Sequence, residues 1–168
     1  YSSQFYDLSP LTNKNGEMLE LGRFCISKKV QDPTILRLAW SELVKFIVKR
    51  KVTTVFGCSS FPGVDTHTHI HTFSLLKEKY LFPLNINPKV EPEYVFEFAK
   101  DLKYHKLDSK VGSLNLPPLL RFYLKMGAKV SGTAIFDFDL QTTHVFTVLN
   151  LEKLSGRFFK SILDYKFF

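Results

Sequence analysis

The sequence predicts an α/β domain, and three observations predict it. Residues 17–58 read as strand, helix, strand, at the length of a right-handed parallel crossover. Residues 133–138 and 143–149 read as two further strands joined by a short polar turn. The chain has 168 residues, 45% of them apolar, enough for one ordinary domain with a sizeable core. The expected unit is a single domain over 1–168, with 151–168 as an amphipathic tail.

Residues 1–15 read as polar turn material, with Pro10 and Asn13-Lys14-Asn15-Gly16 leading into a strand. Residues 17–27 are that strand. It is apolar on both faces except at Glu20 and Arg23, which suits a central strand covered on both sides. After the loop S-K-K-V-Q, Asp32 at the N-cap and Pro33 at the first helical position start a helix. Leu36, Ala39, Trp40, Leu43 and Ile47 recur at helical spacing, and the helix is expected to end near Lys51. Residues 52–58 form a second buried strand, 59–68 a loop with Pro62-Gly63, and 69–80 a helix. The stretch 81–115 is punctuated by prolines and charges, with a helix expected at 92–103. Pro117-Pro118 opens another helix, which Gly127 stops. In the tail, Leu154, Phe158, Phe159 and Ile162 lie against Lys153, Arg157, Lys160 and Lys166.

The formal charge is +7 and the pI about 9.4, a balance that favours acidic partners. The basic residues are scattered apart from Lys45, Lys49, Arg50 and Lys51 at one helix end, where cations also complement the helix dipole. No string of arginines interleaved with aromatics points to nucleic acid. Seventeen phenylalanines suggest a greasy interior or an apolar groove; a codon bias toward Phe and Lys is the alternative. The sequence has no run of about 18 apolar residues, the minimum for a membrane span. Cys25 and Cys58 both fall in apolar strand patterns and read as reduced core thiols of a cytoplasmic protein.

Glu20 and Arg23 come first among candidate functional residues, because charge inside an apolar strand is costly unless paired or used. A spacing of three points them to opposite sides of an ideal strand, which a bulge at Gly22 would change. Lys28 and Lys29 stand beside a helix N-terminus, a geometry that binds anions, but the loop has no G-x-G string. His67, His69 and His71 alternate, so a strand would put three imidazoles on one face. No cysteine or carboxylate completes a zinc spacing around them, and no metal site is expected.

Four strings in order carry a resemblance. E-L-G-R-F-C-I at 20–26, F-G-C-S-S-F-P-G-V-D at 56–65, L-P-P-L-L-R-F-Y-L-K-M-G-A-K-V at 116–130 and T-T-H-V-F-T-V-L at 142–149 resemble the ornithine N-acyltransferases, a GNAT-like family often labelled "hemolysin-like". Y-D-L-S-P at 6–10 resembles the segment that precedes them. The resemblance implies a GNAT-like fold: a mixed central sheet with flanking helices and an acyl-pantetheine arm in a split between two strands. It implies transfer of a fatty acyl chain, commonly 3-hydroxylated, from acyl carrier protein to the α-amine of an amino acid, ornithine being the expected acceptor. The acyl-phosphopantetheine of the carrier is then a co-substrate, with no bound cofactor. The expected setting is the cytoplasm, extending to the inner face of a bacterial inner membrane.

On this resemblance Glu20 is the expected base and Arg23 the cation that holds a carboxylate or phosphate, both beside a fat-lined slot. Phe24, Cys25, Ile26, Lys28 and Lys29 are the expected acyl-pantetheine contacts, with backbone N–H groups near 24–26 polarising the thioester. Ser60, Asp65, Thr143 and His144 are the expected acceptor-side residues. The chain also departs from the pattern. The family's Asn-Thr-Thr-Asp is Gln141-Thr142-Thr143-His144 here, so an imidazole replaces a carboxylate that would hold an amine. The histidines at 67–71 replace the usual D-P after F-P-G. The family domain carries initial strands and helices ahead of the segment matched by residue 1, and a sheet without them has an unpaired edge. Two competing expectations follow: an inactive fragment, or a module that docks carrier protein or a membrane surface through 151–168.

Overall fold

The computed structural model describes residues 1–12, 16–22, 24, 27, 29, 32–83, 90, 94–102 and 108–154. These form a mixed five-stranded sheet with flanking helices, in the order β1-β2-β5-β4-β3. The strands are β1 (Glu17–Glu20), β2 (Val52–Pro62), β3 (Val95–Phe96), β4 (Lys129–Asp137) and β5 (Thr142–Asn150). β1 and β2 run parallel, and the other pairs are antiparallel. The helices are α1 (Ser9–Thr12), α2 (Pro33–Arg50), α3 (Ile70–Lys79), α4 (Phe98–Asp101), α5 (Ser109–Leu114) and α6 (Pro118–Lys125).

The crossover forms for the reasons its sequence offers. Asp32 takes the Thr34 N–H on its side chain at 2.8 Å, Pro33 opens α2, and Lys51 closes it in the left-handed region at φ 54°. Trp40, Val44 and Ile47 recur on one face and are buried against the sheet. Arg50 binds Glu17 through Nε at 2.9 Å and Nη2 at 2.7 Å, tying the end of α2 to the start of β1.

Two layers flank the sheet. On one face α2 and α6 pack a cluster around Trp40, Val55, Tyr123 and Leu149, and α3, α4 and α6 pack another around Phe61, Phe73 and Leu120. On the reverse face residues of 5–11 cover Met18, Phe56, Ile135, Phe146 and Val148. Alternation along β2 sorts the side chains. Val55, Phe61 and their odd-numbered neighbours face the helices, while Phe56 and Cys58 face the N-terminal segment.

Several boundaries differ from the sequence reading. β1 stops at Glu20 rather than 27 and lies at the edge of the sheet, not its centre. β2 continues through the expected loop to Pro62, because β5 pairs along its other side as far as Pro62 opposite Thr142. Within the helix expected at 92–103, the described residues form β3 followed by the single turn α4. The three histidines sit on a 3₁₀ turn (His67–His69) and the start of α3, so they do not share a strand face. His69 is buried with its Nε2 2.8 Å from the Pro62 carbonyl, and His71 Nδ1 accepts the Asp108 N–H. Among the described residues no cluster of acidic, histidine and cysteine side chains has the makings of a metal site. The tail from 155 onward lies outside the described residues, and among the described residues no helix is long and apolar enough to cross a membrane.

Candidate active site

β1 and β2 part company at one point. The last contact of the parallel pair is the Leu21 N–H on the Phe56 carbonyl at 2.8 Å. Leu21 then crosses over Gly57 so closely that a Cβ there would lie 2.5 Å from the Leu21 carbonyl oxygen. Glycine is required by that approach. Beyond it β2 has no further partner on this side among the described residues. Because the Phe56 carbonyl points toward β1, alternation directs the N–H and C=O groups of Cys58 and Ser60 the same way, into the gap.

A cavity of about 250 Å³ fills the gap. Leu21 and Phe24 form one wall, β2 from Val55 to Ser60 the floor, and Leu119, Leu120 and Tyr123 of α6 the roof. Leu149 and Thr147 of β5 close the back. A smaller apolar void behind it shares Leu21, Val55, Tyr123 and Leu149 and is closed by Trp40, Val44 and Ile47. The site is therefore an apolar slot floored by an open strand edge, suited to an extended chain that alternates amides with methylenes.

Tyr123 is a site residue that the sequence reading missed. It comes from the buried face of α6, packs edge-on against Trp40 at 5.6 Å and lines both spaces. Burial pushes its phenol well above the usual tyrosine range, so it stays protonated near neutrality. Its signal was its place four residues before Gly127, the glycine with φ +90° that ends α6. Cys58 is half-buried: its thiol packs against the core of the reverse face, as expected, and the residue also borders the cavity. Burial pushes its thiol up to about 12, which leaves it protonated and unsuited to nucleophilic attack at neutral pH.

Glu20 does not line the cavity. Its side chain lies on the reverse face, where the Ser2 N–H reaches Oε1 at 2.7 Å and the Tyr1 nitrogen reaches Oε2 at 3.3 Å. The physical reason is the two-residue period of β1: Leu21 turns toward the slot, so Glu20 turns away. Burial would raise its pKa, but the Ser2 backbone and hydroxyl and the Tyr1 nitrogen outweigh it and hold the carboxylate below its usual range. Ser2 Oγ also lies 3.5 Å from Cys58 Sγ, so Glu20 and Cys58 meet around one residue beside the gap.

The expected acceptor residues divide. Ser60 and His144 are paired in register and share the reverse face with Cys58. His144 is fully buried between Tyr1, Phe5 and Tyr6, its ring 4.8 Å from that of Phe5 and its Nδ1 3.4 Å from the Tyr6 hydroxyl. Burial lowers its pKa to about 4 against the pull of Asp137, so the imidazole is neutral. Thr143 points the other way and donates to the Gly63 carbonyl at 2.8 Å. Asp65 is exposed and accepts from the His67 N–H and the Thr68 hydroxyl, which closes the turn before α3. Asp137, which the sequence reading did not single out, is buried on β4 beside this group and accepts from the Tyr1 hydroxyl and the Leu140 N–H. Phe24 lines the slot with its ring 5.6 Å from Trp40, and Lys29 is exposed. Arg23, Cys25, Ile26 and Lys28 lie outside the described residues. The start of α2 is a poorer anion site than its sequence suggests, since the Asp32 carboxylate already occupies the Thr34 N–H.

Comparison with known proteins fits this geometry. A family model described as an acetyltransferase (GNAT) domain matches residues 1–41, which span the N-terminal segment, β1 and the first half of α2. Relatives named L-ornithine N(alpha)-acyltransferase occur in Brucella abortus, 27% identical over 160 residues, and in Agrobacterium fabrum, 28% identical over 160 residues. Another from Rhizobium meliloti is 29% identical over 168 residues. The chain is similar to the L-ornithine N(alpha)-acyltransferases. Each alignment covers 94% of this chain, but only 57%, 54% and 54% of the respective relatives, so the chain spans little more than half their length. No solved structure was found to match it.

Proposed function

We propose that this chain carries the acyl-donor site of an N-acyltransferase that moves a fatty acyl group, in its 3-hydroxylated form, from acyl carrier protein to the α-amine of ornithine. The observation that carries the reading is the apolar slot beside the open edge of β2. A phosphopantetheine arm has two amides, and an open strand edge pairs with amides as it would with an added strand. The thioester carbonyl then comes to rest near the Cys58 and Ser60 N–H groups, which supply the oxyanion contact. Its apolar chain enters beneath α6. The basic surface suits an acidic carrier, and an amphipathic product suits work at the inner face of a bacterial inner membrane.

The acceptor arrives from the reverse face, where Glu20 lies next to the gap. Glu20 holds the incoming ammonium and takes a proton as the amine attacks the thioester carbon. Its low pKa makes it a weaker base than one poised near neutrality, so the proton passes on to water. As the C–S bond breaks, that proton reaches the pantetheine thiolate through water, and the protonated Tyr123 hydroxyl donates a hydrogen bond to the sulfur. Lys29 and Arg23 serve the phosphate and the acceptor carboxylate, and Ser60 and His144 wall the acceptor side. The neutral His144 leaves ornithine's second cation to Asp137, a carboxylate whose hydrogen bonds hold it below its usual range despite burial.

The test is transfer from 3-hydroxyacyl carrier protein to ornithine, lysine, glutamine and glycine, followed by mass spectrometry of the acyl amino acid. Product with ornithine supports the reading. Carrier binding without product, from this chain and from protein extended upstream to the relatives' length, selects a docking module instead. A Glu20→Gln protein with an undiminished transfer rate removes the base assignment.

A further inference from the structure

We propose that the outer face of α2 is the surface by which this protein lies on an anionic lipid bilayer, an inference that stands apart from the acyl-donor reading. α2 carries apolar residues on two faces. Trp40, Val44 and Ile47 are buried against the sheet, as a flanking helix requires. Ile35, Leu38 and Phe46 lie outside, 42%, 50% and 47% exposed, with Val48 beside them at 56%. Four of the eight large apolar side chains left exposed among the described residues thus belong to this one helix. With Glu42, Lys45 and Lys49, the outer set follows steps of three and four along the helix and forms one stripe. Apolar side chains gathered in this way and rimmed by charge mark a surface that meets another body.

The charges decide which body. Lys45 pairs with Glu42 at 2.6 Å and Arg50 with Glu17 at 2.7 Å, so the positive surplus rests on Lys49 and Lys51. A further apolar segment of protein laid over the stripe would bury these ammonium groups away from water, which is costly. A second copy of the chain across a two-fold axis would set lysine against lysine. An anionic bilayer suits both kinds of residue at once. Ile35, Leu38 and Phe46 enter the headgroup layer, while the lysines reach along their stems to lipid phosphates. The net charge of +7 adds attraction over the whole protein. The position is also apt. Trp40, Val44 and Ile47, on the inner side of the same helix, close the small apolar void behind the slot. A helix is about 10 Å across, so lipid under α2 lies about that far from the space that holds a fatty chain.

The test is flotation of the whole chain with vesicles of phosphatidylcholine alone and of phosphatidylcholine with one third phosphatidylglycerol. The expected result is binding to the mixed vesicles that falls with added salt, and little binding to phosphatidylcholine alone. Lys49→Gln weakens binding about fivefold, and Glu42→Gln strengthens it about fivefold. Phe46→Gln weakens it about tenfold. Leu114→Gln, which removes an apolar side chain 75% exposed elsewhere on the surface, leaves it unchanged. Denaturation midpoints confirm that each variant is folded. Absence of binding to the mixed vesicles, or binding that none of the α2 substitutions alters, overturns the inference. So do substitutions that change self-association in gel filtration, or capture of acyl carrier protein, and leave vesicle binding as it was; the face then belongs to a second copy or to the carrier. Protein extended upstream to the relatives' length is expected to bind in the same way, and loss of vesicle binding there overturns the inference as well. None of the substituted residues lines the slot, so the transfer assay judges the acyl-donor reading separately.

Discussion

Replacing Gly57 by alanine tests the parting of β1 and β2 directly. The new methyl carbon would stand 2.5 Å from the Leu21 carbonyl oxygen and 3.3 Å from its carbonyl carbon. Ordinary contact begins near 3.4 Å, so Leu21 must retreat by about 0.9 Å, and the obstacle is backbone rather than a flexible side chain. That retreat strains the Leu21 N–H bond to the Phe56 carbonyl, at 2.8 Å the last link of the parallel pair. Overpacking of this kind costs about 1–3 kcal/mol. In a chain this size about 1 kcal/mol moves the thermal midpoint by about 2–4 °C or more. The assay is urea denaturation of Gly57→Ala, with and without an acyl-pantetheine ligand. The expected result is a loss of about 1–3 kcal/mol in the free protein and weaker ligand binding, since Leu21 is a wall of the slot. A neutral substitution would mean that Leu21 does not cross Gly57, and the open edge of β2 would lose its structural basis.

The remaining predictions concern proton chemistry and capping. Burial holds the pKa of folded His144 at about 4, below the 6.5 of an ordinary histidine, so the unfolded chain binds the extra proton first. Stability is then full above pH 6.5 and declines as pH falls toward 4, by up to about 3 kcal/mol. His144→Gln should flatten that slope in denaturation curves taken between pH 6.5 and 5; the lowered carboxylates Glu20 and Asp137 contribute below their ordinary values of 4.5 and 3.8. Tyr123→Phe keeps the packing against Trp40 but loses the hydroxyl that bonds the leaving sulfur, and should reduce the transfer rate by about 10²-fold with little change in donor affinity; an unchanged rate in single-turnover kinetics would remove Tyr123 from the reaction. Asp32→Ala removes the cap on Thr34 and should cost about 1 kcal/mol in the same denaturation assay, whereas Asp32→Ser should recover most of it.

The helices α2, α3 and α6 were legible because their signals are local. Asp32-Pro33 starts α2, Gly127 stops α6, and the Trp40–Val44–Ile47 face is written in consecutive turns. Strand extents were less legible, because pairing with a distant partner decides them. β5 extends β2 to Pro62, and the crossing at Gly57 ends β1, and neither neighbour is local in sequence. The site followed the same division. Glu20 could be singled out as a charge in an apolar strand, but which face it takes depends on where β1 leaves the sheet. Tyr123 escaped notice because an aromatic residue on an amphipathic helix reads as core until a cavity is found beside it.

By itself the sequence determined the strand–helix–strand order, the caps, the hairpin and the family likeness, all of which depend on residues near one another along the chain. Only the tertiary structure decided that Glu20 and the slot lie on opposite faces, that Ser59 meets Thr147, and that His144 is sealed and neutral. The last two come from side chains brought together from segments more than eighty residues apart in sequence, and the first from the pairing of β1 with β2; in each, burial and cross-strand register, rather than local propensity, set the chemistry.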